Sequence, residues 1–94
     1  MDPDLKALTR IFKALANENR LQLYLAIREH QEMTVDGPTC FTQNIVANLR
    51  IGAPTISHHL KELERADLIT TERIGKQLAA RIVPATAERI KHLL

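Results

Sequence analysis

The chain has 94 residues, 45% hydrophobic, 26% charged and 3% aromatic, with 13 Lys and Arg against 11 Asp and Glu for a net charge of +2. That is the length of one domain, 1–94, with a core small enough that burial between copies would add to it. The composition excludes a disordered chain, the lone Cys40 excludes an internal disulfide, and no apolar run approaches the roughly 18 residues of a membrane span.

The opening Met1-Asp2-Pro3-Asp4 is acidic where a signal peptide needs positive charge, so a cytoplasmic protein with no membrane partner is expected. Leu5, Leu8, Phe12 and Leu15 follow a three-then-four spacing, which predicts an amphipathic helix over residues 4–15. Asn17 offers a side-chain oxygen to cap the next helix, from Glu18 to about His30. Its Leu21, Leu23, Tyr24, Leu25 and Ile27 cover more than one face, so it is expected to be central. Residues 31–40 contain Asp36-Gly37-Pro38, a turn signal, and read as a loop.

Thr42 and Gln43 open a short helix carrying Ile45, Val46 and Leu49. Arg50-Ile51-Gly52-Ala53 breaks it, and Pro54 suits the first position of a helix running to about Ala66. Two helices around a Gly-containing turn make a helix-turn-helix. After Leu68 the pattern becomes β-branched and extended through Ile74, turns at Gly75-Lys76, and resumes from Leu78 to Val83. Such a hairpin, with Arg73 and Lys76 at its tip, has the character of a wing. Thr86 is read as the cap of a last helix carrying Ile90, Leu93 and Leu94. The expected fold is mainly α (α+β), a winged helix-turn-helix of order α-α-α-α-β-β-α.

On a wheel of about 100° per residue, Ile56, Leu60 and Leu63 share one sector with Asp67. Pro54, His58, Lys61 and Arg65 fall opposite, with Ser57 on the flank and His59 nearer the apolar side, where it is expected to pack at the edge of the core. Hydroxyl, imidazole, ammonium and guanidinium groups on one exposed face suit phosphates and major-groove base edges. Charge runs the same way: residues 1–49 hold five basic against six acidic side chains, residues 50–82 six (Arg50, Lys61, Arg65, Arg73, Lys76, Arg81) against four. A basic cluster is the footprint of a phosphate-binding face.

The run Pro54-Thr55-Ile56-Ser57-His58-His59-Leu60-Lys61-Glu62-Leu63 closely resembles the recognition helix of the ArsR/SmtB transcriptional regulators. Phe12 to Leu21 is similar to their ALA-x-x-x-R region, and Ala66-Asp67-Leu68-Ile69 to the junction that leads into their wing. The resemblance covers residues 8–83 or so. It implies a homodimer held by the first and last helices, repressing its own operon from a palindromic operator in double-stranded DNA. Thr55, Ser57, His58, Lys61 and Arg65 would then face the groove, with Thr42 and Gln43 holding phosphates and Arg73, Lys76 and Gln77 placing the wing. Leu5, Leu8, Phe12, Ile90, Leu93 and Leu94 would form the dimer interface.

The chain departs from the family's metal sensors. The arsenic and cadmium sensors use a cysteine pair near the third helix, where this sequence has Cys40 alone, and the zinc-type C-terminal site needs more than Glu88 and His92. No metal and no cofactor are expected. No nucleophile constellation assembles from Ser57, His58 and Cys40, so catalysis is not expected. Two alternatives remain open from the residues: a repressor gated by oxidation of Cys40, and a winged helix used for protein contact or RNA binding. The inducer, if any, is not readable.

Overall fold

The computed structural model describes residues 3–94; Met1 and Asp2 of the acidic opening lie outside them. Helices α1 (Pro3–Leu15) and α2 (Glu18–Glu29) are followed by strands β1 (Glu32–Thr34) and β2 (Gly37–Phe41). Helices α3 (Gln43–Val46) and α4 (Ala53–Arg65), strands β3 (Ile69–Ile74) and β4 (Gln77–Ile82), and helix α5 (Pro84–Leu93) complete the order. The strands form one antiparallel sheet in the order β1-β2-β4-β3. The mainly helical, winged helix-turn-helix expectation holds, with one added hairpin.

That hairpin corrects the reading of residues 31–40 as a loop. Met33 pairs with Pro38 and Thr34 with Gly37, and the turn between them closes with Gly37 at φ 102°, a conformation that favours glycine. Pro38, part of that turn signal, cannot donate to a ladder. It is tolerated because β2 meets β4 only at Cys40↔Ala80 and Phe41↔Ala79, beyond the proline. The Thr39 hydroxyl donates to the Gly37 carbonyl (3.0 Å) and lies 3.2 Å from the Thr34 hydroxyl.

The helices start where chemistry supports them. Asn17 caps α2 as expected, its side chain accepting from the Arg20 amide at 3.1 Å. Arg20 Nε in turn donates to the Ala14 carbonyl at 2.7 Å, satisfying an oxygen at the end of α1. The expected short helix shrinks to the four residues of α3. Thr86 does not cap α5, which begins two residues earlier at Pro84. Its buried hydroxyl instead donates to the Asp67 carbonyl at 2.6 Å, tying α5 to the end of α4.

Ile11 of α1, Leu23 and Ile27 of α2, Ile45 of α3, Leu63 of α4 and Ile69 of β3 meet in one core. Leu21 turns outward, so α2 is less enclosed than its composition suggested. Ala79 and Ala80 on β4 are fully buried, small enough to let the sheet pack close to the helices. Among the described residues, no helix is long and apolar enough to cross a membrane.

Candidate nucleic-acid interface

Helix α4 begins after Gly52, whose carbonyl accepts from the Ile56 amide at 3.0 Å, and carries Pro54 in its first turn, where a missing N–H costs nothing. Its inner face consists of Ile56, His59, Leu60 and Leu63, all buried. Burying each aliphatic side chain contributes about 1.5–3 kcal/mol, so the helix cannot rotate that face outward without large loss. The rotation is therefore fixed. Thr55, Ser57, His58, Lys61 and Arg65 are all exposed on the remaining faces.

The two adjacent histidines separate as their spacing implies. His58 is exposed, whereas His59 is 5% exposed, with ring centroids 5.8 Å apart. Among the described residues, neither nitrogen of His59 has a hydrogen-bond partner. Burial pushes its pKa below the ordinary histidine value, and the positive charges of Arg20 and His58 add to that while Glu62 opposes it. His59 belongs to the core, deeper than its expected edge.

The wing is β3 and β4, joined at Gly75-Lys76 with Ile74 opposite Gln77. Gly75 takes φ 63° at the first central position, as a type II′ hairpin turn requires. Arg73 and Lys76 stand exposed at the tip, and Gln77 is half-buried. Among the described residues, Arg50, Lys61, Arg73 and Lys76 enter no ion pair.

Two of the basic residues counted along the chain are not free. Arg65 is held by Glu62 at 2.8 Å. Arg81 turns into the sheet: Nη1 donates to Glu72 at 2.8 Å, Nε donates to Thr39 Oγ1 at 3.0 Å, and Nη2 lies 3.8 Å from Asp36. It braces the first hairpin against the wing, a role that its place in a basic stretch hid. Glu64 is another residue that sequence reasoning passed over. Its carboxylate accepts from the Thr71 amide (2.8 Å) and hydroxyl (2.5 Å), tying α4 to β3. The only sequence signal for it is an acid on a helix flank seven residues before a threonine.

At α3, Gln43 is exposed but Thr42 is 8% exposed, its amide bonded to the Leu78 carbonyl at 3.0 Å. Thr42 therefore has little surface to offer a phosphate. Cys40 is fully buried on β2, and burial, with the nearby Glu32 charge, raises its pKa. A sensor thiol needs the opposite on both counts, exposure and an easily formed thiolate. Glu88 and His92 do face each other on α5, 3.4 Å apart and exposed. Leu5, Phe12, Leu93 and Leu94 are exposed, whereas Leu8 and Ile90 are half-buried against the core.

Comparison with known proteins gives the same answer as the geometry. The sequence model described as "Bacterial regulatory protein, arsR family" matches residues 17–71. Over 73 residues the chain is 36% identical to the uncharacterized HTH-type transcriptional regulator YbzH of Bacillus subtilis (strain 168), covering 70% of this chain and 73% of YbzH. Among solved structures, an ArsR-like transcriptional regulator from Rhodococcus sp. RHA1 superposes with a TM-score of 0.77 at 17% identity, covering 99% of this chain and 80% of that one. The homodimeric winged helix-turn-helix DNA-binding domain of Mb0332 from Mycobacterium bovis superposes with a TM-score of 0.71 at 25% identity, over 95% of this chain and 75% of the other. This chain therefore belongs to the arsR family of bacterial regulatory proteins, as a transcriptional regulator with a DNA-binding winged helix.

Proposed function

We propose that the protein is a cytoplasmic, homodimeric repressor that binds a palindromic operator upstream of its own operon, with no catalytic activity and no resident metal. The observation that carries the reading is α4: its apolar face is sealed in the core while Thr55, Ser57, His58 and Lys61 stand exposed, followed by a wing with exposed Arg73 and Lys76. In this reading Ser57, His58 and Lys61 reach base edges or neighbouring phosphates from the major groove. Gln43 and Arg65 contact the backbone, and Arg73, Lys76 and Gln77 place the wing. Two copies put two recognition helices about one DNA turn, roughly 34 Å, apart. Cys40 is a core side chain and the Glu88–His92 contact a surface pair.

The test is binding to the upstream DNA and to a scrambled duplex, each at low and moderate salt. Preference for the upstream DNA that survives moderate salt is expected. His58→Ala should relax sequence preference, by about 1–3 kcal/mol at one base position, and Lys76→Ala should weaken all duplexes about equally and reduce the salt slope by about one. Equal, weak, salt-labile binding to both duplexes would leave only a basic surface and favour a protein-contact or RNA-binding role.

A further inference from the structure

The DNA-binding reading draws only Arg65 from one charged cleft and gives its other cations no use. An open groove of about 810 Å³ runs between α1 and α4. Five cationic side chains line it, Lys6, Arg10, Lys13, Arg20 and Arg65, against the single carboxylate of Glu62. Lys6, Arg10 and Lys13 recur at the spacing of one helix face, and among the described residues none of the three enters an ion pair. Glu62 is already engaged by Arg65 at 2.8 Å. The groove therefore holds four more cations than carboxylates. Between the cations the lining is apolar, with Leu5, Ala14 and Ala66 joined by the methylene stems of the basic side chains.

We propose that this groove binds a small amphipathic anion, an apolar body carrying a carboxylate, and that its occupancy changes DNA affinity through α4. The charge calls for an anion, and the concave apolar lining calls for more than a bare one. A volume of this size is that of a small-molecule site. A DNA backbone would be met by the cations but would gain nothing from the apolar lining. The path to the operator is short. Arg65 and Glu62 lie on the helix that carries Ser57, His58 and Lys61. A carboxylate in the groove competes with Glu62 for Arg65, so the bound and empty states differ at the end of the recognition helix. Linkage then requires that ligand and DNA affect each other's affinity equally. This second half rests on the DNA-binding reading; the binding site itself does not.

The test is a titration of isotope-labelled protein followed by amide NMR, with 2-naphthoate, its neutral isostere 2-naphthamide, and inorganic phosphate as separate probes. Naphthoate should saturate and shift amides of residues 6–14 and 62–66, with the amide and phosphate at least tenfold weaker. The double variant Lys6→Ala with Arg10→Ala should lose at least tenfold in naphthoate affinity, and Lys6→Gln with Arg10→Gln repeats this with longer side chains kept. Saturating naphthoate should change operator affinity at least fivefold in the natural protein and leave it unchanged in the variants. Equal binding of naphthamide, no saturable shift, or shifts centred on Ala16 and Leu93 would overturn the site. Unchanged operator affinity would overturn the coupling. Weaker operator binding by the variants with no naphthoate present would assign these cations to DNA phosphates. Because the titration contains no DNA, a failure of operator binding is separately visible.

Discussion

His59 enters a core that gives neither ring nitrogen a partner among the described residues, so its neutral form is favoured there. Its folded-state pKa is lowered, first by burial and then by Arg20 and His58. Between that value and the unfolded value near 6.5, the unfolded chain binds more protons than the folded one. Stability contributed by this residue is therefore complete above about pH 6.5 and falls as pH drops through the unfolded pKa. His59→Leu keeps the volume roughly constant and removes two unsatisfied nitrogens, so at pH 7.5 it should change stability by less than about 1.5 kcal/mol. Urea midpoints at pH 7.5 and 5.5 check this: the natural protein should lose stability on acidification and the variant should lose clearly less. Equal losses would place the titrating group elsewhere. Cys40 obeys the same physics with the opposite sign, since burial favours its neutral thiol and keeps the thiolate rare.

The end of α4 shows what one element asks of its boundary. The Leu68 amide bonds to the Leu63 carbonyl and the Asp67 amide to the Glu64 carbonyl, both at 3.0 Å, which is a Schellman motif with fully buried Leu63 and Leu68 as its apolar contact. Asp67 occupies the left-handed position at φ 58°, where glycine is usual. Asp67→Gly should thus be neutral to stabilising, by up to about 1 kcal/mol, and Asp67→Val destabilising by about 1–2 kcal/mol; thermal midpoints of the two variants decide it. Asp67 shares a wheel sector with Ile56, Leu60 and Leu63, but it lies past the end of the helix, where its left-handed backbone takes it off the apolar face. Elements with a strong local period, α1, α2, α4 and the wing, were legible in the sequence together with the outward face of α4. The first hairpin was not, because its strands have three and five residues and its support is non-local. Thr39 reaches Arg81 across 42 positions of chain, and no local pattern carries that. The dual fate of the basic residues was hidden for the same reason. Arg81 reads as wing charge and is a brace, while Lys6, Arg10, Lys13 and Arg20 read as part of a balanced half and converge on one groove.

At the scale of the whole molecule, the unresolved cost is apolar surface. Leu5 is 60% exposed, Phe12 42% and Leu93 52%, and together with Leu8 they line a groove of about 510 Å³ between α1 and α5. Burying such a side chain from full exposure is worth about 1.5–3 kcal/mol, of which these partly exposed ones have about half left to gain, and a twofold interface counts every one of them twice. That sum is of the size needed to overcome the cost of association, so the surface left bare by one copy suits another. Phe12→Glu places a carboxylate at the centre of this patch on an exposed helix face, where the monomer tolerates it. Sedimentation velocity should show the natural protein as a dimer and the variant shifted to monomer, with at least a tenfold rise in dissociation constant. DNA binding then separates folding from assembly. Once the two recognition helices are no longer linked, affinity for a full operator should fall steeply while affinity for an isolated half-site stays within about twofold, because only the effective concentration of the second helix is lost. If Phe12→Glu stays dimeric, the copies meet elsewhere, and the exposed Met33 and Val35 on the first hairpin become the next surface to alter.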